Sequence, residues 1–467
     1  MRFISTRGLA PAIGFREAVL SGLAPDGGLY VPAVWPQISG DGGAAFRGKS
    51  FAQAAAEILA AFAEPELQEL ELRDMAERAF GAFDTPEVAP LRQIGDEAWL
   101  LELFHGPTLA FKDIAMRMLA QLYDWALQRQ SRGKTIIGAT SGDTGGAAIH
   151  AFAGSARAEI FMLHPRGRIS AVQRRMMTTI DAPNIVNIAV DGTFDDCQRL
   201  VKALFADREL NGRFDLGGVN SINWVRLAVQ TVYYFTATAA LGKRASFVVP
   251  TGNFGDVFAG YAASRMGLPV NKFGVAVNTN DIMRRVLRSG EYAPASARAT
   301  SSPSMDIQVA SNFERLLFEA FDRDSAALRR QMEVLERDGR MRLADPMRRR
   351  LAEDFVAESA DDEEVAAMIK SAHAAKTGLV DPHTAVGLVA LEKFRATGEI
   401  KGPAVCLATA HPAKFPEAVE RASGVTPRLP SRYEDLMTRA ERLLPAATDI
   451  AAIRDIIEQN SIFASKP

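Results

Sequence analysis

The chain has 467 residues, length enough for roughly two to four domains, and its 48% hydrophobic and 24% charged residues are an ordinary globular balance. A formal net charge of -2 leaves no basic footprint for nucleic acid or an anionic membrane. Two distant cysteines, Cys197 and Cys406, make neither a disulfide framework nor a zinc spacing, and the six histidines form no HxxxH or HxH pair, so no metal site is expected. MRFISTRG lacks the apolar core of a signal peptide, and no apolar run reaches the eighteen or so residues of a membrane span. The expectation is a cytoplasmic protein with neither a nucleic-acid nor a membrane partner.

In chain order, residues 1–90 open with the Gly/Pro-rich LAPDGGLYVP and turn helical at FAQAAAEILAAFA. HGPTLAFKD, residues 105–113, then sets one lysine, Lys112, in an apolar run. At helical spacing Lys112 lines up with Ala115 and Leu119, beside a stripe of Phe111, Ile114, Ala115 and Met118. Burying an ammonium is costly unless it is paired or neutral. A solvated lysine whose head reaches water is the commonplace outcome; an amine kept neutral for Schiff-base chemistry is the alternative.

A rhythm follows of short β-rich runs, polar turns and helical patterns. TIIGAT leads into SGDTGG and AAIHAFAG, EIFMLHP into RGRIS and AVQRRMMTTI, and NIVNIAV into DGTFDD and CQRLVKALF. After NSINWVR, SFVVP leads into TGNFGD and VFAGYAASRMG, KFGVAV into NTND and IMRRVLR, and late in the chain AVCLAT into AHPAKFP and EAVERA. Such βα units predict parallel strands. The economical fold is α/β, with two open twisted sheets flanked by helices, a mainly helical N-terminal module and a charged helical insertion over about 313–375. The charge runs of that insertion read as solvated helix faces. The expected division is an N-terminal module (1–90), a large α/β domain (91–125 and 215–425), a small α/β domain (126–214) and a helical tail (426–467).

In open α/β sheets, ligands bind where strands end and helices begin. Three such loops here are rich in small polar residues. TSGDTGG offers Ser141, Asp143 and Thr144 among glycines, although Ser141 or Asp143 could be an ordinary helix N-cap. PTGNFGD fits neither a P-loop nor GxGxxG, which leaves a monophosphate held by Gly252, Asn253, Phe254 and Gly255 with Asp256 beside them. Gly255 is the position expected to need close backbone approach or an unusual φ. ATAHPAKFP presents Thr409 at a strand end. A buried amine, a monophosphate cradle and no metal ligands together suggest pyridoxal phosphate. NSINWVR carries Asn220, Ser221, Asn223 and, at Arg226, a planar fork of donors suited to phosphate, unless Arg226 is a surface residue of the next helix.

HGPTLAFKD, SGDTGG, NSINWVR, PTGNFGD, MDIQVASNFERLLF, DPHTAVG and ATAHPAKFPEA, with STRG and GLAPDGGLYVP before them, resemble the ordered motif set of the threonine synthases over residues 5 to about 420. The resemblance implies the fold type II arrangement, with pyridoxal 5′-phosphate between two α/β domains. It implies a lyase that turns O-phospho-L-homoserine and water into L-threonine and phosphate, working as a monomer or homodimer. By motif position Lys112 would carry the Schiff base, Gly252, Asn253, Phe254, Gly255 and Asp256 would surround the cofactor phosphate, and Thr409 would face the pyridine nitrogen. Ser141, Thr144, Asn220, Ser221 and Arg226 would bind substrate. Asp143 stands where many fold type II enzymes have asparagine, so a proton is expected on either its carboxyl or the ring hydroxyl beside it. Two rivals remain at this level. A serine or threonine dehydratase would share the lysine and the glycine loop without needing the second phosphate site, and a non-catalytic α/β binding protein would have lost the cofactor.

Overall fold

The computed structural model describes residues 1–38, 43–128, 133–375 and 377–463. Two sheets organise it. The larger has six strands, in the order Phe355–Ser359, Val270–Val277, Ala245–Pro250, Ala404–Ala408, Ala98–Glu102 and Leu91–Gly95. All neighbours are parallel except the last pair, a hairpin. The smaller has five parallel strands, in the order Leu444–Ala446, Ile185–Val190, Ala158–Pro165, Lys134–Ala139 and Leu216–Gly217. Every residue of Ala158–Pro165 and of Ala245–Pro250 is buried. That is why these strands read as mostly apolar runs rather than alternating ones: helices cover both faces.

The N-terminal module is a two-stranded antiparallel pair, Phe3–Ser5 with Tyr30–Pro32, with the helix Phe15–Leu20 between the strands and the helices Phe51–Ala63 and Glu69–Phe80 after them. It packs under the helix Trp224–Leu241, whose Trp224 ring meets Phe3, Trp35 and Phe62. Asn223 caps that helix by accepting from Val225 N and Arg226 N, while its amide nitrogen donates to the carbonyls of Val19 and Ser21, each at 2.9 Å. One side chain thus fixes both the helix start and its seat on the module.

Two expected boundaries are redrawn. The segment 313–375 is mostly helical but contains Phe355–Ser359, the edge strand of the large sheet. The tail is not helix alone. Leu444–Ala446 adds a strand beside Ile185–Val190, and the helix Ile450–Asn460 buries Ile453 and Ile457 against Cys197, Leu200 and Leu204. A five-residue strand among charged helices, and a three-residue strand centred on Pro445, are too short to carry a period. Nor are all the charges of the insertion solvated. Arg315 is fully buried, and its guanidinium donates to Tyr30 O at 3.0 Å and to Ile222 O at 2.6 Å. Among the described residues no helix is long and apolar enough to cross a membrane.

Candidate active site

The carboxyl ends of two adjacent central strands, Ala245–Pro250 and Ala404–Ala408, open onto one cavity. The segment that brings Lys112 there is tied on both sides. Phe111 N donates to Thr409 O at 2.9 Å and His411 N to Leu109 O at 3.0 Å, so it runs against the chain leaving Ala404–Ala408. Thr108 donates to the buried Asp113 carboxylate from its amide at 2.7 Å and from its hydroxyl at 2.6 Å. Lys112 is the first residue of the helix Lys112–Leu127, and its side chain turns into the cavity with 12% exposure. Burial lowers the pKa of its amine; Asp143 opposes that shift, and the like charges of Lys414 and Arg226 add to it.

Asp143 comes from the other sheet. It begins the helix Asp143–Phe152, behind Gly142 at φ 139°. Thr140 Oγ1 satisfies the amides of Gly142 and Gly145, and a Cβ at Gly145 would fall 2.4 Å from the Thr140 methyl. This explains the glycine. Neither Ser141 nor the Asp143 side chain caps the helix. The Asp143 carboxylate instead gathers four donors: Lys414 Nζ at 2.7 Å and Gln173 Nε2 at 3.0 Å on Oδ1, Ser304 Oγ at 3.2 Å and Lys112 Nζ at 3.4 Å on Oδ2. Burial alone would raise this carboxyl, but Lys414 and then Lys112 hold it well below the usual carboxylate range. In this setting the Asp143 carboxyl favours its ionised form.

The glycine loop lies across the cavity. A Cβ on Gly252 would come within 2.7 Å of the Ser304 carbonyl, so only glycine fits between that backbone and the cavity. The left-handed residue is Phe254, at φ 61°, not Gly255 as expected from the sequence. The Phe254 ring turns into the core against Phe313, which leaves only its backbone to the loop. Asn312 donates to both Asn253 O and Ser221 O at 3.1 Å, bracing the loop against NSINWVR. The helix Gly255–Arg265 starts here, and its first-turn N–H groups have no acceptor within the helix. Asp256 Oδ1 accepts from the hydroxyls of Tyr233 and Tyr234, while Oδ2 has no partner. Burial pushes this carboxyl up to about 6.

Arg226 is not a surface residue. It is 4% exposed, lines the cavity, and has no hydrogen-bond partner at Nε or Nη1. Burial pushes its guanidinium down to about 10. A buried guanidinium with free donors on a cavity wall is a site for an anion.

Of the residues singled out from sequence, Lys112, Asp143, Thr144, Ser221, Arg226, Gly252, Asn253, Gly255, Asp256 and Thr409 line this one cavity. Ser141 and Asn220 do not. Both are exposed, Ser141 on the turn before the helix and Asn220 in a loop where its oxygen accepts from Ile222 N. Sequence reading passed over Lys414, Gln173, Ser304, Gln230 and His383. Lys414 and His383 stand inside quoted motifs and could have been flagged there; Gln173, Ser304 and Gln230 carry no local signal. His383 Nε2 accepts from Ser304 N at 3.2 Å and its Nδ1 faces Asp381 Oδ1 at 2.8 Å, so the ring holds Ser304 in place. Among the described residues no cluster could hold a metal ion.

Asp256 gives a pH test. Its folded pKa is raised from 3.8 to about 6, so the native state binds this proton more tightly than the unfolded chain does. Its contribution to stability is complete below 3.8 and is lost as pH rises through about 6, a change of about 3 kcal/mol. Asp256→Asn keeps an acceptor for the two tyrosines and has no proton to lose. In urea unfolding of the cofactor-free chain, the variant should gain on the parent steadily across that window. Parallel stability curves would show that Asp256 does not titrate there.

Three family models match the chain: "Threonine synthase N terminus" over residues 2–80, "Pyridoxal-phosphate dependent enzyme" over 83–410 and "Threonine synthase, C-terminal" over 384–457. The threonine synthase of Pseudomonas aeruginosa is 43% identical over 464 residues, covering 98% of each chain. A crystal structure of pyridoxal-phosphate-bound threonine synthase from Brucella melitensis superposes with a TM-score of 0.96 at 46% identity, covering 99% of this chain and 100% of that one. Yeast threonine synthase superposes at 0.93 with 37% identity, over 98% of each chain. With a lysine, an anion cradle and a free guanidinium around one cavity, and with likeness along its whole length, this chain belongs to the threonine synthases, a family of pyridoxal-phosphate-dependent lyases.

Proposed function

We propose that this chain converts O-phospho-L-homoserine and water to L-threonine and phosphate, with Lys112 as the cofactor-bearing lysine. The cavity fits pyridoxal phosphate. Lys112 supplies the amine, the Gly252–Gly255 loop with Phe254 and the helix start behind it supplies backbone N–H groups for a phosphate, and the Thr409 hydroxyl stands at a strand end for the ring nitrogen. When bound, the cofactor supplies an electron sink that makes the protons of the adjoining substrate carbons removable.

The chain's own groups do the rest. The Lys112 amine, released when the substrate amine takes its place, removes the proton at Cα and then moves protons at Cβ and Cγ as the phosphate leaves and water adds at Cβ. Asp143 holds that amine at 3.4 Å. The Arg226 guanidinium binds the substrate phosphate and keeps hold of it as charge builds on the departing oxygen. Ser221 and Thr144 line the same cavity and complete the substrate's surroundings. The buried free thiols of Cys197 and Cys406 support a reducing, cytoplasmic setting.

Arg226 is the observation that carries the substrate assignment. The glycine loop already answers one phosphate, and a second, unpartnered cation on the same cavity answers another. A dehydratase acting on free threonine needs only the first. Phosphate release and threonine formation from O-phosphohomoserine by the purified chain test the reading; deamination of free threonine at a comparable kcat/KM would overturn it.

Two variants separate the anion sites. Arg226→Lys keeps the charge and loses the planar fork, so kcat/KM for O-phosphohomoserine should fall roughly 10–150-fold, the worth of one charge-assisted hydrogen bond, while cofactor affinity holds. Gly252→Ala drives a methyl against the Ser304 carbonyl and should shed pyridoxal phosphate on dialysis. The converse pattern, Arg226→Lys shedding the cofactor and Gly252→Ala retaining it, would mean that the two sites are exchanged.

A further inference from the structure

Lys414 has no part in the reading above, although it is among the most deeply buried ionisable side chains of the protein, with 2% exposure. It lies in the short helical turn Pro412–Lys414, on the segment that runs against the Lys112 loop. Its ammonium donates to Asp143 Oδ1 at 2.7 Å and to Thr108 O at 2.7 Å. Lys112 reaches the other oxygen of the same carboxylate at 3.4 Å. One buried anion therefore serves two buried amines unequally, and the tighter partner is the one that does not line the cavity.

We propose that Lys414 is a positioning residue which, by taking the close contact with Asp143, leaves the Lys112 amine loosely paired and free to bond to the cofactor. A second ammonium at the far oxygen weakens the pull of that carboxylate on Lys112 and adds a like charge nearby, and both effects favour the neutral amine. Neutrality matters because the nitrogen needs its lone pair. The amine attacks the cofactor aldehyde carbon, a C=N bond forms, and the aldehyde oxygen leaves as water with the two protons of the nitrogen. Without Lys414, Asp143 would be left to Lys112, Gln173 and Ser304, and the Lys112 pairing would tighten.

The charged groups facing Lys112 come from four elements. Asp143 lies on the small sheet's helix, Lys414 on the turn after Ala404–Ala408, Arg226 on Trp224–Leu241 and Asp256 on Gly255–Arg265. His383 faces Asp143, and Asp113 faces Lys414. Lys414→Met changes only one of these charges.

The inference rests on Lys112 being the cofactor-bearing lysine, and the test separates the two claims. Full-length protein is stripped of cofactor and mixed with pyridoxal 5′-phosphate across a pH series. The rate of bond formation is followed by absorbance, and the bond is then reduced with borohydride and located by peptide mapping. In the parent the label should fall on Lys112; a label elsewhere overturns the assignment of Lys112 itself. In Lys414→Met the label should stay on Lys112, while the midpoint of the pH–rate profile rises by on the order of one unit, making the reaction about tenfold slower below it. A weaker attraction for the cofactor phosphate would lower the rate at every pH without moving the midpoint. Lys414→Gln, which keeps a donor for Thr108 O but no charge, should give the same shift and carries the test if the methionine variant does not fold. Lys414→Arg, which restores a cation, should bring the midpoint back. A folded neutral variant with Lys112 labelled at the parental midpoint would overturn the inference.

Discussion

The site depends on one buried carboxylate shared between two buried amines. An isolated ammonium in the space Lys112 occupies would lose its proton or force the helix start open, and an isolated carboxylate at Asp143 would pick one up. Together with Lys414 they form a compensated cluster, and the remaining oxygen positions of Asp143 are filled by Gln173 and Ser304. Such a cluster is costly to break from any side, because each partner removed leaves a charge without an answer. That cost also fixes geometry. Lys112, Lys414 and Asp143 come from three separate segments, and the carboxylate pins all three at the junction of the two sheets.

Around that cluster the charge balance favours anions. Arg226 is the cation there without a carboxylate partner: Lys112 and Lys414 share Asp143, and Asp256 is held by two tyrosine hydroxyls. Helix starts add to it. The first turns of Asp143–Phe152, Trp224–Leu241 and Gly255–Arg265 all border the cavity, and each brings the positive end of a helix dipole. Asp256 runs against this balance. Its two tyrosine donors lie on the helix that also carries Arg226, so the carboxylate, the phenols and the guanidinium form a second polar layer behind the glycine loop.

The N-terminal module takes part without touching the cavity. Asn223 fastens the start of the Arg226 helix to the carbonyls of Val19 and Ser21, and Arg315 joins the Tyr30 and Ile222 carbonyls. Thr6 adds a hydroxyl bond to Glu314 at 2.7 Å. The start of the Arg226 helix and the glycine loop therefore rest on the same bracing. A shift of the module would be felt at Arg226 and at the glycine loop together.

Much of this was legible in the sequence because the chemistry is local there. Parallel strands buried on both faces are largely apolar, so SFVVP, EIFMLHP and NIVNIAV stand out, and the loops after them hold most of the polar residues. The glycine loop stands out in that way, the lysine through helical spacing in an apolar run, and the arginine of NSINWVR through the ordered motifs that mark the family. What the sequence could not give depends on distance in three dimensions. Phe355–Ser359 and Leu444–Ala446 are strands only because a sheet edge waits for them; three to five residues hold no period of their own. Ser141 and Asn220 sit in the right motifs but face outward, since neighbours along a turn point in different directions. Lys414 lies about 300 residues from Lys112 in the chain, and although AHPAKFP marks it as part of a motif, that stretch does not show which carboxylate it meets. Its role follows from a 2.7 Å contact that exists only once both sheets are assembled around Asp143. The sequence determined which groups the protein carries for its chemistry, and the tertiary structure decided which of them share a charge.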